Sequence, residues 1–143
     1  MAAKGSTFSN DYLKLIFHAI AIANIADNAA SSPLTHLHVS LHTSAPTVGG
    51  SQSTNECAYT DYARVAVVRS ASGWTIAGNQ VTPAAIIQFP TATGGSETAT
   101  HIAVGTAATG TGKILYTGAL NGSMAISSGY RPELSTSTVI TET

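Results

Sequence analysis

At 143 residues the chain has the length of one ordinary domain, yet it is 43% hydrophobic and only 9% charged, with a formal net charge of −1, where soluble domains average about a quarter charged. Its six Lys and Arg residues are scattered from Lys4 to Arg131, so the clustered positive charge that displaces phosphate counterions is missing and direct nucleic-acid binding is not expected. A lone cysteine, Cys57, excludes an intramolecular disulfide framework and a cysteine-based zinc cluster.

A surface this neutral, rich in Thr, Ser, Ala and Gly, opposes association only weakly and suits a protein packed against partners. The opening residues show no basic region followed by an apolar run and a small-residue cleavage site, so no secretion signal is expected, and the single cysteine suits folding in a reducing cytoplasm. The first apolar run, residues 13–26, is interrupted by Lys14, His18 and Asn24. It falls short of the roughly 20 apolar residues of a bilayer span, and no membrane partner is expected.

In chain order, Ser9 is placed to cap a helix over residues 10–27, with Asp11 in its first turn against the positive end of the dipole. Leu13, Ile16, Phe17 and Ile20 line one apolar face, while Leu15 and Ile22 with Ala19 and Ala26 cover a second. One layer of a domain covers only the first face, so Leu15 and Ile22 are expected at an interface. After Pro33 the period drops to two. Leu37, Val39 and Leu41 point to one side of a strand, and His36, His38, Ser40 and His42 to the other. The three histidines are expected to face solvent or a partner.

A Gly, Ser and Pro-containing loop over residues 44–55 leads to a strand over residues 62–69. Residues 74–76 and 80–82 flank Ala77-Gly78-Asn79, a hairpin signal because Gly and Asn tolerate positive φ. Further strands are expected at 85–89, 101–105, 113–120, 123–126 and 136–141, with Asn121-Gly122 as a turn. Strands recurring without intervening helices define the expected class. It is all-β, a single-domain, jelly-roll-like β-sandwich over residues 34–143, preceded by an arm and α-helix over residues 1–33.

Two patterns invite chemistry. His36 and His38, at i and i+2 on one strand face, could share a metal as in cupin jelly rolls, but the following His42-Thr43-Ser44 lacks the carboxylate that completes such a site. Residues 107–114 approach a phosphate-binding loop, yet Ala107 replaces its first glycine, Ile114 its magnesium-binding hydroxyl, and a strand follows where a helix must. No Gly-x-Ser-x-Gly elbow occurs. No catalytic residue, cofactor or metal is expected, and Trp74 reads as a packing residue rather than a sugar platform.

The stretch Leu34-Thr-His-Leu-His-Val-Ser-Leu-His-Thr-Ser-Ala-Pro46, with Gln52-Ser-Thr-Asn-Glu56, Tyr59-Thr-Asp-Tyr-Ala-Arg-Val-Ala-Val67, Phe89-Pro-Thr-Ala-Thr-Gly94, Thr100-His-Ile-Ala-Val-Gly105 and Gly112-Lys-Ile-Leu-Tyr-Thr-Gly118, resembles a family of small tailed-phage and prophage structural proteins. Members are labelled tail fibre or hypothetical protein, and related jelly-roll proteins serve as capsid cement. The resemblance implies a virion protein without catalytic residues. The absence of coiled-coil heptads favours a capsid cement or decoration protein, bound to the major capsid protein and self-associating as a dimer or other small oligomer. A tail or tail-fibre-associated protein is the alternative, and a cupin-type metal protein the remotest reading.

Overall fold

The computed structural model describes residues 6–22, 33–47 and 49–143. Among the described residues one α-helix, α1 (Ser6–His18), precedes nine strands: β1 (His36–His42), β2 (Val65–Val68), β3 (Trp74–Ala77), β4 (Gln80–Pro83), β5 (Ile87–Gln88), β6 (Ser96–Gly105), β7 (Ile114–Ser127), β8 (Glu133–Leu134) and β9 (Ile140–Thr141). The all-β class with one short helix is therefore observed. The strands form a four-stranded sheet in the order β2-β1-β6-β7, a three-stranded sheet β3-β4-β9 and a two-stranded sheet β5-β8. The chain divides into two compact units, one comprising the described residues up to His36, Val67–Ile86 and Ser135–Thr143, the other Leu37–Ala66 and Ile87–Leu134. Thus α1 clusters with hairpin β3-β4 and β9.

In the first unit, Ser9, Leu13 and Phe17 recur every fourth residue and are buried, the stripe by which a helix packs. Phe17 meets Trp74 edge-on, with ring centroids 4.8 Å apart, the arrangement favoured by the aromatic quadrupole. Polar contacts fasten the helix near both ends. Asn10 Nδ2 donates to Gly78 O at the hairpin tip, and His18 Nε2 donates to Trp74 O at its base. The tip is a two-residue loop, since Ala77 pairs with Gln80, and Gly78 at φ 62° supplies the positive dihedral that a type II′ turn needs at its first central position.

The helix starts earlier and stops earlier than its apolar pattern predicts. Ser9 lies inside it, and the chain leaves it at Ala19, whose φ is 58°. Ile20 N then bonds back to Lys14 O, one residue beyond the reach of a Schellman 6→1 bond. Arg69 satisfies the carbonyls exposed by that ending: Nε donates to Ile16 O and Nη2 to Leu15 O, while Nη1 reaches Leu34 O. The predicted extension over residues 23–27 lies outside the described residues.

In the second unit, β1 pairs antiparallel with β6, and β6 with β7. Leu37, Val39 and Leu41 are buried as the period-two pattern requires, but Ser40 and His42 on the opposite side are buried too, because loop residues pack over that end of the strand. The predicted 101–105 strand is the C-terminal half of β6. The two strands expected on either side of Asn121-Gly122 are one strand, β7. Both flanks pair with β6, His101 opposite Ala119 and Ala99 opposite Met124, so residues 120–123 form a bulge opposite Thr100 and the chain does not reverse. The predicted 62–69 strand shortens to β2, and that at 136–141 to β9.

Trp74 and Phe17 together seat α1 on the hairpin. Replacing the buried Trp74 by Ala is expected to lower unfolding free energy by about 3–5 kcal/mol. Chemical denaturation of Trp74→Ala measures this, and a change within the error of the wild-type value would contradict the packing role.

Candidate functional site

The second unit contains a 22-residue connection between β1 and β2 (residues 43–64) and an eight-residue connection between β6 and β7 (residues 106–113). Neither carries a strand ladder, so turn hydrogen bonds and side chains together satisfy the backbone. Arg64 is the main one. Its Nε donates to Glu56 Oε1 and its Nη2 to Glu56 Oε2, both at 2.7 Å, the two-pronged geometry that guanidinium and carboxylate share. Nη1 also reaches Ala107 O and Nη2 Gly110 O. The Arg64 side chain is 3% exposed and that of Glu56 15%. The carboxylate raises the pKa of Arg64, so the guanidinium keeps its charge.

Tyr62 donates its hydroxyl hydrogen to Glu56 Oε1 and accepts one from Leu41 N, which couples the ion pair to β1. Its ring meets Tyr59 edge-on and stacks on Phe89. Gln52, fully buried, is a second clasp: its backbone N–H bonds Gly112 O, its Nε2 donates to His38 O, and its Oε1 accepts from Ala107 N. Gly105 and Gly112 make room for that amide, since a Cβ on either would lie 2.1–2.2 Å from Gln52 side-chain atoms.

His42 completes the cluster. Nδ1 lies 2.9 Å from Thr54 O and Nε2 2.9 Å from Ser40 Oγ. A carbonyl can only accept, so Nδ1 carries the proton and Nε2 accepts from Ser40. This is the hydrogen bond a nucleophilic serine uses, but both side chains are 0% exposed, so here it anchors the loop carrying Thr54. Burial lowers the pKa of His42. Cys57 is also buried, and burial with the adjacent Glu97 pushes its thiol up to about 12, which suppresses the reactive thiolate.

The residues singled out from sequence are divided between the two units. Leu15, Ile22 and His36 belong to the first unit and His38 and His42 to the second. Leu15 is half-buried and Ile22 buried, whereas Ile20, assigned to the inner face, is 50% exposed, because the early helix stop at Ala19 breaks the 100° periodicity on which that assignment rested. His36 is exposed, with Nδ1 against Thr35 Oγ1, and His38 is half-buried. His42 faces neither solvent nor a partner. Among the described residues no three His, Cys, Asp or Glu side chains converge as a metal site. The glycine-rich residues 107–113 are a strand connection, as their sequence implies.

The accessible feature of the second unit is the outer side of β7. This strand ends its sheet, and eight of its fourteen residues are exposed.

Comparison with known proteins gives one family. The model of the family described as Podophage GP4 fiber I protein gp80 matches residues 16–142. No curated protein matches the chain.

Two measurements probe the buried cluster. Removing one member of a buried ion pair strands the other, so Arg64→Met and Glu56→Gln are each expected to cost about 3–5 kcal/mol, and the double variant less than their sum. Denaturant titration of the full cycle checks this, and additive losses would contradict direct coupling. For His42, the folded protein favours the neutral ring, whereas the unfolded chain takes up a proton near pH 6.5. Its contribution is complete above that pH and is lost as pH falls through the lowered folded value. The melting temperature is expected to fall more steeply below pH 6.5 in the wild type than in His42→Gln. Parallel slopes would contradict it.

Proposed function

The chain belongs to the Podophage GP4 fiber I protein family, matched from residue 16 to residue 142, and from that membership we propose that it is a building unit of a podophage fibre. As a member of this family it is a phage structural protein and a component of the virion. The observation that carries the finer reading is the extent of the match, 127 of 143 residues, which includes both units of the fold. The physical character of the chain supports it. Charge is sparse, and the histidine and cysteine with altered proton affinity are buried. Function then rests on surfaces that bind protein, without catalysis and without a cofactor.

The family description favours the tail-fibre-associated alternative over attachment to the major capsid protein as cement. Copy number and place separate the two. A fibre unit is expected in a few copies per particle, clustered at the tail, whereas cement occurs in hundreds over the shell. Quantitative mass spectrometry of purified virions, with immunogold labelling of intact particles, makes the measurement. Hundreds of copies distributed over the capsid would overturn the fibre reading and restore the cement one.

A further inference from the structure

We propose that β7 is a self-association edge, pairing antiparallel with β7 of a second copy about a two-fold axis. The reasoning starts from the strand's composition. Ile114–Ser127 contains no Lys, Arg, Asp, Glu or Pro. Those are the residues by which natural sheets keep a free edge from recruiting another strand. β7 terminates the β2-β1-β6-β7 sheet, and among the described residues its ladder runs to β6 alone. The opposite edge of the same sheet is β2, only four residues long, so the long edge free of charge and proline is β7.

Exposure agrees. Thr117, Gly118 and Ala119 are consecutive and exposed, so both alternating faces of the strand are open there. A strand placed only to cover a core would have one face closed. Small side chains at Gly118, Ala119, Gly122 and Ala125 let another backbone approach closely. The bulge at residues 120–123 divides the edge into two regular runs, Tyr116–Ala119 and Met124–Ser127.

A second copy is the partner these features fit. An antiparallel edge presents alternating N–H and C=O groups, which makes it self-complementary under a two-fold axis. With no charge on the strand, like meets like without repulsion. Under a two-fold axis through the bulge, each run faces the other run of the partner.

The inference deepens the fibre reading but is tested on purified protein, independently of where the virion carries it. Light scattering with size-exclusion chromatography should show a dimer in the wild type. In Ala119→Lys/Ala125→Lys, which adds charge at two exposed positions, the dimer Kd should rise about tenfold or more with an unchanged melt. Hydrogen exchange on the wild type is the check that needs no variant: amides of residues 116–119 and 124–127 should gain protection as protein concentration rises. A wild-type monomer at the highest soluble concentration, an odd-numbered oligomer, a lysine variant that dimerises as the wild type does, or concentration-independent exchange in β7 would each overturn the proposal. A dimer mediated by β7 in a protein found over the capsid would sink the fibre reading and leave the edge intact.

Discussion

The buried pair Arg64–Glu56 is the interaction on which the second unit depends. A guanidinium and a carboxylate taken out of water cost several kcal/mol each unless their geometry and remaining hydrogen bonds are nearly complete. Here they are: two contacts between the groups, two from Arg64 to the carbonyls of Ala107 and Gly110, and one from Tyr62 to Glu56. The two carbonyl contacts reach the β6–β7 connection, and Tyr62 bonds onward to Leu41 N of β1. The ion pair thus joins the long β1–β2 connection, the β6–β7 connection and, through Tyr62, the backbone of β1. Gln52 and His42 extend the same arrangement, Gln52 binding the carbonyl of His38 in β1 and His42 that of Thr54 in the β1–β2 connection.

The first unit solves the same problem with the same residue type. Arg69 donates to three carbonyls, at Leu15, Ile16 and Leu34, and burial makes its charged form harder to hold, a cost those contacts offset. Arg64 and Arg69 stand on either side of the four-residue β2. The strand therefore carries an anchoring cation at each end, one for each unit. Glu97, accepting from the amides of Ala58 and Tyr59, adds to the same pattern. In a chain with thirteen formally charged Lys, Arg, Asp and Glu residues, internal use of this many leaves the surface nearly neutral. A neutral surface is permissive for the repeated protein contacts of a virion component.

Charged residues set among apolar and aromatic neighbours, as Glu56 and Arg64 are, carry a readable signal. Charges are almost never fully buried unless paired, so a sparse Glu and Arg within the Cys57, Tyr59 and Tyr62 neighbourhood point to an internal pair. Sequence reasoning gave weight instead to the histidines, whose period-two spacing marked a common strand face. The spacing was right, but the inference that this face was open failed for Ser40 and His42. Alternation reports which residues share a side. It does not report whether a distant loop returns to cover it.

Local chemistry determined the all-β class, the buried face of Leu37, Val39 and Leu41, the Gly78 hairpin and the strand connection at residues 107–113, because each depends on neighbours a few residues apart. Phage structural character was legible as well, in segments spread through the chain. Tertiary structure alone decided the rest. The helix ends at His18 where Arg69, about fifty residues later, takes up its carbonyls. Asn121-Gly122 becomes a bulge because both of its flanks register on β6, a pairing set by the whole ladder and indifferent to a local turn signal. His42 became an internal anchor because the loop bearing Thr54 folds over it. Such outcomes are fixed by contacts between residues far apart in sequence, whose partners no local periodicity encodes.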